Sequence, residues 1–100
     1  MKREMAPEEF RRATEEAEVL DVRTAGEFDA GHIVGARNID MYQPDFVDRI
    51  KDLDRGTPFA LYCRSGSRSG MAVQLMEQLG FERVGHLENG LLDWDGELER

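Results

Sequence analysis

Residues 57–80 read TPFALYCRSGSRSGMAVQLMEQLG, and this stretch decides the fold class. It begins with a short apolar run, residues 57–62, which predicts a buried central strand. A small polar loop follows, and residues 69–79 then carry apolar side chains at helical spacing up to Gly80, a good helix stop. A strand that passes through a tight loop into a helix is typical of α/β folds. The stretch therefore places Cys63 at the carboxyl end of a central strand, where such sheets bind their ligands.

The same alternation of apolar runs and polar breaks continues on both sides of this stretch. Strands are predicted at 19–22, 35–39 and 83–87, and helices at 7–13, 25–30, 44–53 and 90–98. Strands that alternate with helices imply parallel pairing and right-handed crossovers. We therefore expect a three-layer α/β fold with helices on both faces of the sheet. The chain shows no linker and no internal repeat, so residues 1–100 are predicted to form a single domain.

The composition is that of an acidic protein, with 21 acidic and 13 basic residues and a formal net charge of -8. Nucleic acid and anionic membranes are therefore poor partners, and the charge favours a monomer. The N-terminus lacks the apolar core of a secretory signal, and no apolar run approaches the length of a membrane span. A lone cysteine forms no internal disulfide, which favours the cytoplasm. One cysteine and two histidines argue against a structural zinc site, and we expect neither a metal nor a cofactor.

The loop after the central strand combines several features that stabilise an anion. Gly66 allows positive φ, so successive N–H groups can turn inward, and the next helix presents its N-terminus to the loop. Hydroxyl donors and positive charge come from Ser65, Ser67, Ser69, Arg64 and Arg68. Cations and helix N-termini lower the pKa of a thiol from its usual ~8.5, so Cys63 is predicted to be largely thiolate at neutral pH. The alternative is an inert buried cysteine, but the flanking residues are too polar for a core.

Two motifs carry a resemblance to a known family. The hexapeptide at residues 63–68, Cys-Arg-Ser-Gly-Ser-Arg, resembles the active-site loop of rhodanese domains, a family of sulfurtransferases. The stretches LDVRTAGEF, residues 20–28, and GHIVGARNI, residues 31–39, resemble its other signature. The resemblance implies a five-stranded parallel sheet and a cysteine that cycles through a persulfide. One departure is Asn89-Gly90, where the family often has two glycines; because Asn tolerates left-handed conformations, we expect the turn to form.

The resemblance also implies a reaction in two steps. The Cys63 thiolate would take the outer sulfur of a small anionic donor such as thiosulfate, and an acceptor such as cyanide or a thiol would then remove it. The residues expected to bind the donor are Arg64, Ser65, Gly66, Ser67, Arg68 and Ser69. Backbone N–H groups of the loop would stabilise the anionic states. Arg64 and Arg68 suit the donor's sulfonate, although Arg68 could instead turn away and brace the loop.

Three residues outside the loop are candidates for a supporting role. Asp21 and Arg23 end a predicted strand on the same side of the sheet as Cys63 and could border the pocket. Arg23 and Glu27 are also four residues apart, which suits an ion pair in a helix, and we favour a structural role for Asp21 and Arg23. Arg37 could add positive charge near the site or face the solvent.

The two histidines and the tryptophan are expected to be structural. His32 lies in the predicted turn GHIVGA, where a hydrogen bond that braces the turn is favoured over a catalytic base. His86 lies in a predicted strand, and no chemistry is expected from it. Trp94 is expected in the core.

Two other functions remain open. Cysteine phosphatases and arsenate reductases use a similar loop, but they resemble Cys-x5-Arg, whereas four residues separate Cys63 from Arg68. The smaller ring suits a sulfur atom better than a phosphate. The second alternative is a persulfide carrier or binding module that delivers sulfur to one protein partner. In every case the acceptor comes from outside, because the chain has no second cysteine to resolve a persulfide.

Overall fold

A five-stranded parallel sheet lies at the centre of the computed structural model, which describes residues 1–100. In chain order the elements are β1 (Glu4–Met5), α1 (Pro7–Ala13), β2 (Glu18–Asp21), α2 (Ala25–Ala30), β3 (His32–Ile33), β4 (Arg37–Asn38), α3 (Phe46–Lys51), β5 (Phe59–Tyr62), α4 (Ser67–Gln78), β6 (Val84–Leu87), a 3-10 helix (Gly90–Asp93) and β7 (Leu98–Glu99). The sheet order is β1-β6-β5-β2-β4, with every neighbouring pair parallel. A separate antiparallel pair joins β3 to β7.

Strand β5 shows why the sheet is covered on both faces. All four of its residues are buried, and successive side chains point to opposite faces of a strand. Phe59 and Leu61 belong to an apolar cluster that includes residues of α3 and α4. Ala60 and Tyr62 belong to a second cluster that includes Phe10 of α1. The predicted three-layer α/β architecture is therefore confirmed, and the short apolar run is a strand buried on both sides.

Most predicted elements are present with shifted ends. The strands at 19–22, 57–62 and 83–87 and the helices at 7–13 and 25–30 are found within two residues of their predicted bounds. Strand 35–39 is reduced to the two residues of β4, and the helix at 44–53 is shorter at both ends. Helix α4 begins at Ser67, two residues earlier than predicted. No helix of the structure is both long and apolar enough to cross a lipid bilayer.

Two predictions at the chain ends are wrong or incomplete. The hydrophobic pattern locates only four of the five strands that the resemblance implies, and it misses β1. This strand consists of two residues, Glu4 and Met5, held by pairing with β6 rather than by a local pattern. The predicted helix at 90–98 is a single 3-10 turn, after which Trp94 is extended and Leu98 pairs with Ile33. The turn is tied to the loop after β5, as described below, and the backbone leaves it in an extended conformation at Trp94.

Candidate active site

Cys63 lies directly after β5, between this central strand and α4, and it is fully buried. Its sulfur is the centre of a small group of donors. The backbone N–H of Gly66 donates to Sγ at 3.1 Å, and that of Ser69 donates at 3.4 Å. The hydroxyl oxygen of Ser69 lies 3.5 Å from Sγ. The loop therefore surrounds the sulfur with groups that favour negative charge.

Two opposing effects set the pKa of the Cys63 thiol. Burial disfavours the thiolate, but hydrogen bonds from the Ser69 hydroxyl and from the N–H groups of Ser69, Gly66 and Ser65 outweigh it. The pKa of Cys63 is therefore lowered from its ordinary value. A thiol of lowered pKa at the carboxyl end of a parallel strand has the chemistry of a nucleophile.

The turn after β6 fixes the shape of the loop. Gly66 has φ +97°, and a Cβ placed there would lie 1.7 Å from the carbonyl oxygen of Glu88. Gly90 has φ +59°, and its Cβ would lie 2.4 Å from the carbonyl oxygen of Arg64. Only glycine fits either position, because the two segments touch backbone to backbone. Asn89 has φ -104°, so the expected turn forms with the left-handed conformation on Gly90 alone.

The 3-10 helix donates to the loop through its first free N–H groups. Leu91 donates to the carbonyl oxygen of Cys63 and Leu92 to that of Arg64, both at 3.1 Å. These bonds use the donors that the start of a helix leaves free. They also provide hydrogen-bond donors for the carbonyl groups of residues 63 and 64, and so tie the loop to the turn after β6.

The two arginines of the loop have different surroundings. Arg64 is exposed and forms no ion pair or side-chain hydrogen bond. Arg68 forms a bidentate pair with Glu27, at 2.8 and 3.1 Å, and its guanidinium lies over the ring of Tyr42. The hydrogen bonds from Arg68 hold the pKa of Glu27 at about 2, against the opposing effect of burial. Arg68 is thus engaged in joining α4 to α2, and Arg64 is the free cation of the loop.

The expected ion pair between Arg23 and Glu27 is wrong. Arg23 instead pairs with Asp21 at 2.6 Å and donates to the carbonyl oxygen of Gly31 at 2.7 Å. Both Asp21 and Arg23 are buried, and Asp21 is the register partner of Tyr62, the residue before Cys63. Because their charges compensate each other inside the protein, they brace the strand ends, in line with the structural role favoured above.

Arg37 lies away from the loop. It is exposed on β4 and lines a surface cavity of about 270 Å³ together with Thr14, Glu18 and Val34. Neither Cys63 nor any residue of its loop borders that cavity. Of the two alternatives left open for Arg37, its exposed position on the edge strand agrees with a side chain that faces the solvent.

The histidines and the tryptophan have distinct environments. The ring of His32 stacks on Phe28, and Nδ1 lies 2.9 Å from the Phe28 carbonyl oxygen, so it braces the turn. Trp94 packs edge-on against Phe10 in the second apolar cluster. His86 lies in β6 as predicted, but its Nδ1 is 2.8 Å from Ser69 Oγ. This contact was not predicted, because His86 and Ser69 are 17 residues apart and no local pattern connects them.

No group of three or more His, Cys, Asp or Glu side chains is arranged to hold a metal ion. Backbone N–H groups and one hydroxyl surround the Cys63 sulfur, and the charge of Arg68 is near enough to interact with it. What this arrangement can do is hold an anion on or beside the sulfur.

Comparison with known proteins gives consistent matches over nearly the whole chain. A family model for the rhodanese-like domain matches residues 6–97. The thiosulfate sulfurtransferase GlpE of Pseudomonas aeruginosa is 35% identical over 91 residues, which cover 90% of this chain and 81% of that protein. YrkF of Bacillus subtilis, named as a candidate sulfur carrier protein, is 33% identical over 85 residues, 85% of this chain and 45% of that protein. The crystal structure of a rhodanese-related protein from Thermoplasma volcanium matches with a TM-score of 0.86 at 27% identity, covering 98% of each chain.

Proposed function

This chain belongs to the rhodanese-like domain family, and on that premise we propose that it transfers sulfane sulfur through a persulfide on Cys63. The observation that carries the proposal is the position of Sγ, with the N–H groups of Gly66 and Ser69 directed at it. A thiolate stabilised in this way needs only an electrophilic sulfur to react. The relatives include a thiosulfate sulfurtransferase and a candidate sulfur carrier, which differ in function. The identities of the sulfur donor and of the acceptor are therefore proposed here together with the reaction.

The first step loads the cysteine. The Cys63 thiolate attacks the outer sulfur of thiosulfate, a new S–S bond forms, and the bond between that sulfur and the sulfonate breaks. Sulfite leaves with the electron pair of the broken bond, so no oxidant or reductant is required. Arg64 is the guanidinium free to hold the sulfonate, since Arg68 is paired with Glu27.

The second step removes the outer sulfur from the Cys63 persulfide. A nucleophilic acceptor, such as cyanide or a thiolate, attacks the outer sulfur of the Cys63 persulfide, and the S–S bond breaks in favour of the cysteine. The Cys63 thiolate is the leaving group, and the same N–H groups of Gly66 and Ser69 that lower its pKa stabilise it as it departs. The single site therefore serves both halves of the cycle.

The arrangement of Arg68 disfavours the phosphatase alternative. In a phosphatase loop the arginine that follows the cysteine binds the transferred phosphate, whereas the Arg68 side chain is held by both carboxylate oxygens of Glu27. The ring between Cys63 and Arg68 is also one residue shorter than Cys-x5-Arg. Both features support a small sulfur centre over a phosphate.

A sulfur carrier that serves a protein acceptor is the second candidate. Two large side chains beside the loop support it: Tyr42, which contacts Arg68, and Leu92, whose N–H binds the carbonyl oxygen of Arg64. Both are 68% exposed. Apolar and aromatic side chains at the rim of a reactive loop suit contact with a protein better than with a small anion.

The test is a transfer assay with thiosulfate and cyanide, in which thiocyanate formation is measured. The proposal predicts turnover by the native chain and none by Cys63→Ala, with hydrolysis of an aryl phosphate absent from both. Slow turnover with cyanide together with fast transfer to one protein thiol would favour the carrier. Phosphate release at a rate comparable to sulfur transfer would contradict both the sulfurtransferase and the sulfur carrier.

A further inference from the structure

A chain of hydrogen bonds leads from Cys63 away from the loop opening and across the sheet. Ser69 Oγ lies 3.5 Å from Cys63 Sγ and 2.8 Å from Nδ1 of His86. The other ring nitrogen of His86, Nε2, lies 3.0 Å from Oε2 of Glu4 on β1. Ser69 is fully buried and His86 is 4% exposed. Ser69 and His86, the inner members of this hydrogen-bond series, are thus screened from solvent, and only Glu4 reaches the surface.

The hydroxyl proton of Ser69 can serve only one acceptor at a time. When His86 is neutral and donates from Nε2 to Glu4, its Nδ1 is an acceptor and takes the Ser69 proton. The Ser69 oxygen can then accept the S–H of Cys63. When His86 is protonated, Nδ1–H donates to Ser69, and the hydroxyl is free to donate to the Cys63 thiolate. One proton therefore reverses the two hydrogen bonds that Ser69 makes with His86 and Cys63, while His86 Nε2 donates to Glu4 in both states.

We propose that Ser69, His86 and Glu4 form a proton relay for Cys63, in which His86 takes up the proton that the thiol loses. The S–H bond of Cys63 breaks, its proton moves to Ser69 Oγ, and Ser69 passes its own proton to Nδ1 of His86. The products are a Cys63 thiolate and a His86 imidazolium that faces the Glu4 carboxylate. The sequence-based expectation that His86 has no chemistry is replaced by a role in holding this proton.

The surroundings of His86 supply the charge that a buried imidazolium requires. Glu4 faces its Nε2 from β1, while Leu61, its register partner on β5, is apolar. The next charges are Arg3, with Nη1 3.8 Å from Glu4 Oε1, and Glu77 of α4, which pairs with Arg3 at 3.0 Å. Glu4 is thus the carboxylate placed to pair with an imidazolium at His86.

The relay also controls how reactive the sulfur is. At a pH high enough to remove the proton from His86, the Ser69 hydroxyl turns to Nδ1 and the thiolate loses one hydrogen bond. The loss of one such bond changes the basicity of the sulfur about tenfold. Because thiolate nucleophilicity follows basicity with a coefficient of about 0.4–0.5, the rate of attack then rises about threefold. The relay rests on the proposed function in one respect only, namely that the electrophile attacked by the Cys63 thiolate is a sulfur atom.

The test is the pH dependence of Cys63 alkylation by iodoacetamide, followed by intact mass between about pH 5 and about pH 10, which spans the usual His and Cys ranges. The native chain should show two steps, the formation of the thiolate and a further rise of about threefold. His86→Asn keeps an amide near the position of Nδ1 but cannot take up a proton, and it should show one step. His32→Asn, a change of the other histidine, is the matched control and should keep two.

Ser69→Ala provides a second variant that leaves both histidines in place, and it should also show one step. Thermal unfolding of each variant checks that it is folded. A single step in the native chain, or two steps in a folded His86→Asn or Ser69→Ala, would overturn the relay. Persulfide formation from thiosulfate is measured on the same samples. A persulfide with a one-step profile overturns the relay alone, whereas two steps without a persulfide overturn sulfur transfer and leave the relay standing.

Discussion

Replacing Gly66 by alanine probes the fit between the loop and the turn after β6, and Gly80→Ala is its matched control. The two glycines have nearly the same backbone conformation, φ +97° and +92°. A Cβ at Gly80 would meet nothing within 4 Å, whereas a Cβ at Gly66 would lie 1.7 Å from the carbonyl oxygen of Glu88. Comparison of the two variants therefore separates backbone strain from the steric clash.

The magnitude follows from these distances. Left-handed backbone costs an alanine about 1–2 kcal/mol at either position, which lowers Tm by roughly 4–8 °C for each kcal/mol in a domain of this size. At Gly66 the loop must also move by about 1.3 Å to reach a Cβ separation of 3.0 Å. Such a shift breaks the 3.1 Å bond from Gly66 N–H to Cys63 Sγ. A hydrogen bond to a charged group is worth about 1.5–3 kcal/mol, so the ionisation constant of the Cys63 thiol falls roughly 10- to 100-fold. The more basic thiolate that remains is roughly 3- to 8-fold more nucleophilic, which offsets part of this loss.

The assay is the rate of Cys63 alkylation near neutral pH, with Tm measured on the same preparations. Gly80→Ala should react at the native rate and show only the loss of Tm due to strain. Gly66→Ala should react up to about tenfold more slowly and melt at a lower temperature than Gly80→Ala. Equal Tm values and equal alkylation rates for the two variants would refute the reasoning, because the Glu88 contact would then have no effect on the loop.

Other predictions concern the charged side chains around the loop. Arg64→Ala should raise the KM for thiosulfate about tenfold with little change in Tm, because Arg64 is exposed and unpaired. Arg37→Ala, on a different surface, is the control and should leave the steady-state kinetics unchanged. An equal rise in KM for both variants would contradict the role of Arg64. The Arg68 pair holds the pKa of Glu27 at about 2, below its unfolded value near 4.3. The stability that Glu27 contributes is therefore complete above about pH 4.3 and is lost as the pH falls toward about 2. Thermal unfolding across this pH range should show that the Tm of the native chain falls more steeply with acid than that of Glu27→Gln. Parallel curves of Tm against pH would exclude the Arg68–Glu27 pair as a source of acid sensitivity.

The site is predictable from the sequence where its parts are neighbours in the chain. Cys63, Gly66 and Ser69 lie within seven consecutive positions, so the strand, the loop and the start of α4 are all visible in one stretch. The apolar run before Cys63 predicts a strand buried on both faces, and the small residues after it predict a backbone that can turn its N–H groups inward. Local physics alone is sufficient for this part.

Contacts between distant residues were not predictable in the same way. Arg68 and Glu27 are 41 residues apart, and His86 and Glu4 are 82 apart. Which carboxylate reaches which cation depends on the sheet order and on the position of β1, a strand of two residues with no pattern of its own. The i,i+4 spacing of Arg23 and Glu27 suggested a local pair, but Arg23 pairs with Asp21, two residues before it, and Glu27 pairs with Arg68 of α4.

The end of the chain illustrates the same limit. Apolar residues at 91, 92 and 94 suggested one more helix, yet the N–H groups of Leu91 and Leu92 bind the loop carbonyls and the chain then becomes extended. Leu92 is left 68% exposed beside the loop. These tertiary hydrogen bonds anchor the turn, and they contribute to holding the loop around Cys63.

The most direct test of sulfur transfer through Cys63 is the intact mass of the protein after incubation with thiosulfate and removal of excess reagent. The proposed mechanism predicts that the native chain gains the mass of one sulfur atom, that Cys63→Ala gains none, and that cyanide returns the native chain to its original mass. An unchanged native mass, or an equal gain by Cys63→Ala, would contradict the persulfide on which the proposed function rests.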